Sequence, residues 1–209
     1  MSNSNSHFKV VKLATMALLT AAIFVLQFVT VPLGAITVSL SMVPVAIAAI
    51  TMGPVYGLIG GAIWGLASII KALMGSSGLT STLFTISPVL TVILCFIPRM
   101  LDGFLLGFIY KGLRKFSNVF VSGCVTGFFS ALLNTIFFMS TIVLLFGNTE
   151  YVQNMMGGKN VIIFICSIIA GNAIFEMIVA SVVTGPVAQA LTSARLLPKA
   201  GVEVGKVNA

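Results

Sequence analysis

The stretch PVYGLIGGAIWGLASIIKALM, Pro54–Met74, decides the architecture. It is apolar over the roughly 20 residues that a helix needs to cross the hydrocarbon core of a bilayer. Its glycines continue a series that starts just before it: Gly53, Gly57, Gly61 and Gly65. Residues four apart share a helix face, and glycine on that face lets a second backbone come close. Gly103 and Gly107 repeat the spacing, and so do Gly123 and Gly127. The expected use of these grooves is packing of helix on helix inside one bundle.

The rest of the chain agrees with that stretch. Of its 209 residues, 58% are hydrophobic and 7% charged, with mean hydropathy +1.16. A soluble domain carries about 25% charged residues, so the bilayer has to be the solvent here. The expectation is a single membrane domain over 1–209, all-α, an integral bundle of six transmembrane helices. They are read at about 10–31, 41–52, 54–74, 88–113, 119–146 and 161–192, with cytoplasmic tails 1–9 and 193–209. The first run is too long for a signal peptide and lacks an A-x-A site, so it is read as a retained helix. After Pro32 and Gly34, the run from Ala35 to Ser41 alternates apolar and polar residues. That period of two predicts an ordered, partly extended outer loop between helices 1 and 2. The second helix, from Ser41 to Met52, would reach only about 18 Å at 1.5 Å per residue. Short membrane segments of this kind often border a binding cavity.

Lys9, Lys12, Lys111, Arg114, Lys115, Arg195, Lys199 and Lys206 fall on one side of this arrangement, and Lys71 and Lys159 on the other. Lys and Arg gather on the cytoplasmic side. Both termini are therefore read as cytoplasmic in a multi-pass plasma-membrane protein, with 32–43, 75–87 and 147–160 outside. The net charge of +7 does not imply nucleic acid, because the basic residues sit at the ends of apolar runs. Cys95, Cys124 and Cys166 lie in three different runs and read as small core residues rather than a disulfide or zinc framework.

The informative polar residues within the spans are few: Arg99 and Asp102 in the fourth, Asn134 in the fifth, Asn172 and Glu176 in the sixth. A charge there costs at least about 2.5–3.5 kcal/mol on insertion scales, so it needs a partner or a cavity. Counted from Pro88, Phe146 and Val161, the residues Arg99, Asn134 and Asn172 share a depth of about 16–18 Å. The expected small-molecule site is built from Arg99, Asn134 and Asn172, with Glu176 as a weaker member and Thr37 and Ser39 closing over it. Two structural alternatives stand beside it. Arg99 and Asp102 could neutralise each other at i, i+3, and the two asparagines could make interhelical hydrogen bonds of about 1 kcal/mol. No GxxxxGK[ST], HExxH or GxSxG occurs, and His7 is the lone histidine. No catalytic residue, metal site or cofactor is expected in this chain. A stand-alone secondary transporter would normally show two repeated halves, and only Gly53-Pro54 against Gly185-Pro186 hints at one.

The short second helix, the strand-like first loop and the Ala14, Ala17 and Ala21 face of the first helix resemble the S components of energy-coupling factor (ECF) vitamin transporters. The resemblance covers residues 8–192. Ile36–Pro44, Met52-Gly53-Pro54, Ile97-Pro98-Arg99 and Leu132-Leu133-Asn134-Thr135 look most like the pantothenate-specific branch. The resemblance implies a subunit that captures a vitamin from outside. It then docks on a membrane scaffold subunit served by two cytoplasmic ATPase subunits, which hydrolyse the ATP. It also implies that Ala14, Ala17 and Ala21 meet the scaffold. Arg99 would suit the carboxylate of pantothenate. Asp102 and Glu176 set two acids against that one cation. Either one of them holds a proton, or Asp102 lies outside the pocket, or the ligand is neutral and pyridoxine-like or pyrimidine-like.

Overall fold

The computed structural model describes residues 2–29, 31–33, 36–38, 40–158, 160–168 and 173–193. The chain opens with α1 (Ser2–Phe28), whose helix already includes the stretch read as a polar tail. A two-stranded antiparallel hairpin follows, β1 (Val31–Leu33) and β2 (Ile36–Val38), with Val31 opposite Val38. Then come α2 (Met42–Met52), α3 (Pro54–Leu73), α4 (Gly78–Ile86), α5 (Pro88–Leu113) and α6 (Val119–Phe146). The described part closes with α7 (Glu150–Met156), α8 (Val161–Ile168) and α9 (Ile174–Ser193). The sixth span, read as one helix over 161–192, thus appears as α8 and α9, and 169–172 lie outside the described residues.

Five of these helices have the length and hydropathy to cross a membrane: Val10–Phe28 of α1, then α3, α5, α6 and α9. The surface is that of a protein dissolved in lipid. Leu144 is 82% exposed and Leu13 73%, while Asp102, Thr126 and Ser130 are fully buried. Water would reverse that distribution.

The short helix α2 occupies the middle. It touches α1, α3, α5, α6 and α9. Its sequence, MVPVAIAAITM, is apolar all round, which suits a helix surrounded by others. It is the bundle's central packing element, and its Met42, Val43 and Val45 share a buried cluster with Trp64 of α3.

The glycine series packs α3 antiparallel on α5. Gly57 meets Gly103, Gly61 meets Arg99, Gly65 meets Cys95, and Gly107 meets Pro54. A methyl group on Gly57 would sit 2.0 Å from the Gly103 carbonyl oxygen, and one on Gly61 2.1 Å from that of Arg99. No side chain fits in either place. On the other side of the bundle, Gly123 lies against Gly185 and Ala188, and Gly127 against Ala180. That sets α6 antiparallel to α9.

Two segments read as loops contain helices. In 75–87, α4 is tied down by a hydroxyl bond from Thr80 to Ser77 and by Ser81 Oγ donating to the Ala72 carbonyl, 2.9 Å away. In 147–160, α7 starts after an extended Thr149 and stops at Gly157, which is left-handed with φ 57°. Leu83 of α4 and Val152 of α7 are fully buried with Leu94, Ile142 and Phe146. One apolar cluster therefore joins α4, α5, α6, α7 and α8 at the same end of the bundle.

Candidate small-molecule site

Arg99 sits in the middle of α5, directly after Pro98. A helical side chain leans towards the helix N-terminus. Accordingly, one guanidinium nitrogen, Nη1, donates to the Cys95 carbonyl four residues back, at 2.9 Å. The guanidinium lies 4.8 Å from the ring centroid of Trp64 on α3 and 5.1 Å from that of Phe138 on α6. Both distances are within the reach of cation–π attraction. Arg99 is 7% exposed, and its Nε has no hydrogen-bond partner among the described residues.

Trp64 is itself held. Its indole Nε1 donates to Gln27 Oε1 on α1 at 2.8 Å. Gln27 Nε2 donates to Ser68 Oγ at 3.1 Å, and Ser68 Oγ donates to the Trp64 carbonyl at 3.0 Å. Lys71 Nζ donates to the Gln27 carbonyl at 2.9 Å, near the end of α1. The positions 64, 68 and 71 share one face of α3.

Asn134 lies one turn before Phe138 on the same face of α6. Its Oδ1 is buried with no partner among the described residues. Glu176 is buried in the first turn of α9. Asp102 is fully buried, and neither of its oxygens accepts a hydrogen bond among the described residues. The i, i+3 spacing therefore does not give a hydrogen-bonded Arg99–Asp102 pair. Ser39, Asn172 and the side chain of Thr37 lie outside the described residues. Ala14, Ala17 and Ala21 form an exposed face of α1, while Met16, Leu19 and Ile23 of the same helix are buried.

Reasoning from the sequence missed Gln27, Trp64, Ser68 and Phe138. Two signals pointed to them. Gln27 is an amide in an apolar run, and Trp64 is the chain's single tryptophan, placed mid-span. Tryptophan more often sits at the membrane–water interface.

A bundle of helices long and apolar enough to cross a membrane, with a buried, aromatic-flanked cation among them, defines the class as a multi-helix membrane protein. Comparison with known proteins gives the family. The family described as "ECF transporter, substrate-specific component" matches residues 11–188, and the chain belongs to it. It is 31% identical over 164 residues to the pantothenic acid transporter PanT of Lactococcus lactis subsp. cremoris, covering 73% of this chain and 76% of that one. It is 26% identical over 200 residues to the pantothenate transporter PanT of Leuconostoc mesenteroides subsp. mesenteroides, covering 91% and 95%. The solved structure of ThiT from Listeria monocytogenes has the same fold, with TM-score 0.63 at 17% identity over 91% of this chain and 99% of that one. The chain is a transporter subunit rather than an enzyme.

Proposed function

We propose that this chain captures pantothenate at the outer face of the plasma membrane for an ATP-driven importer. The observation that carries the reading is Arg99. It is a cation buried among apolar side chains, its aromatic faces are occupied by Trp64 and Phe138, and its Nε is unspent. A buried charge needs a counter-charge, and Asp102 makes no hydrogen bond to it. An anionic ligand meets that need through a charge-assisted hydrogen bond. Pantothenate supplies a carboxylate for Arg99, and an amide and hydroxyls for which Asn134 Oδ1 is an available acceptor. Two relatives named as pantothenate transporters support the choice. A neutral pyridoxine-like or pyrimidine-like ligand would offer Arg99 no carboxylate.

Membership in the family supports the remaining parts of this reading. Ala14, Ala17 and Ala21 present small residues to a scaffold subunit's helix, and partner ATPase subunits hydrolyse ATP. This chain carries no phosphate-binding motif. The Lys and Arg distribution supports cytoplasmic termini and an outward-facing end formed by the hairpin, α4 and α7. The test is pantothenate binding to the purified chain in nanodiscs. Arg99→Ala should weaken it by about 2–5 kcal/mol, the cost of breaking a buried charge pair. Unchanged affinity in a folded Arg99→Ala protein would remove Arg99 from the site.

A further inference from the structure

We infer that Gln27 and Trp64 are positioning residues for Arg99, so that α1 sets the anion selectivity of a site whose ligand-facing groups stand on α5 and α6. This rests on Arg99 as the carboxylate partner.

An arginine side chain has several rotatable bonds, and recognition needs its planar fork held still. Among the described residues the guanidinium is hydrogen-bonded at Cys95, and an anchor at that one residue lets the fork swing about it. The Trp64 ring at 4.8 Å restricts the swing. The ring is in turn fixed by its one N–H, bonded to Gln27 Oε1.

Gln27 can satisfy this arrangement in only one orientation. The single Ser68 hydroxyl proton goes to the Trp64 carbonyl, so Ser68 Oγ can only accept from Gln27. The Gln27 amide must then direct its NH₂ at Ser68 and its oxygen at the indole. A flipped amide would place a donor against a donor. Gln27 is 8% exposed, so water cannot repair a lost bond there. Lys71 bonds the Gln27 carbonyl and holds the last turn of α1 against α3. The chain Lys71–Gln27–Trp64–Arg99 therefore joins the end of α1 to the cation. Along its length, α1 also carries the exposed Ala14, Ala17 and Ala21 face.

A merely structural role would weaken every ligand alike, whereas a positioning role acts on the carboxylate. The experiment titrates the full chain in nanodiscs with pantothenate and with panthenol, which has an alcohol in place of the carboxylate. Gln27→Leu and Trp64→Leu should each lower the preference for pantothenate over panthenol by about tenfold, with panthenol affinity held within about threefold. Ser68→Ala, which removes one hydroxyl, should shift the preference in the same direction and carries the test if Gln27→Leu does not fold. A preserved preference in these variants, or an equal loss for both ligands, would overturn the proposal. Arg99→Gln is run beside them. If it keeps the preference, the failure belongs to Arg99 as the anion partner. If it loses the preference while the Gln27, Trp64 and Ser68 variants keep it, the failure belongs to the positioning network.

Discussion

Arg99 enters a hydrocarbon-facing bundle at a cost of at least about 2.5–3.5 kcal/mol, and its neighbours show how that cost is met. Two rings lie against it and one carbonyl accepts a hydrogen bond from it. Asn134, one turn before Phe138, offers an oxygen with no partner among the described residues, which can accept from an amide or hydroxyl but adds no charge. Asn134→Leu should therefore weaken pantothenate and panthenol to a similar extent, by about 1–3 kcal/mol for a lost polar partner. Titration calorimetry with both ligands checks this. A loss confined to pantothenate would make Asn134 part of the anion contact instead. Arg99 and Asn134 could be singled out from the sequence as candidates because polar residues are rare in the spans. Their supports could not. Gln27 and Trp64 are 37 residues apart, and nothing in either span alone shows that one holds the other.

Among the elements, α3 and α5 fit so closely that their contact is made by glycine and backbone. Gly57→Val should fold poorly or lose about 1–3 kcal/mol of stability from overpacking. Gly112→Ala, on the same α5 but with nothing within 4 Å, should leave the thermal transition where it is or raise it slightly. Thermal unfolding of the two variants in detergent compares them, and equal transitions would contradict this packing. Helix α1 has the opposite design, with its small residues outward. Ala17→Trp should abolish ATP-dependent uptake in the presence of partner subunits yet leave vitamin binding by the isolated chain unchanged. Normal uptake would remove this face from docking, and loss of binding as well would show that it packs internally. The glycine spacing made close helix packing readable in advance, but which helices pair, α3 with α5 and α6 with α9, comes from the structure. The helices α4 and α7 were not readable. They are short, their segments are rich in polar residues, and what holds them is burial of Leu83 and Val152 against distant helices.

At the scale of the whole molecule, lipid faces the apolar side chains and the interior keeps the polar ones. The fold class was legible because composition alone decides the solvent. The central place of α2 was not, since a helix of 11 residues signals that it does not span, without saying what surrounds it. On the proposed reading this chain holds the solute and partner subunits supply the energy that drives it uphill. The most direct measurement reconstitutes the purified chain alone in sealed vesicles and follows radiolabelled pantothenate. The expected result is saturable binding that unlabelled pantothenate displaces, with no accumulation inside the vesicles until the scaffold and ATPase subunits and ATP are supplied. Concentrative uptake by the chain alone, or absence of pantothenate binding by a folded protein, would contradict the reading of this chain as the pantothenate-binding subunit of an importer.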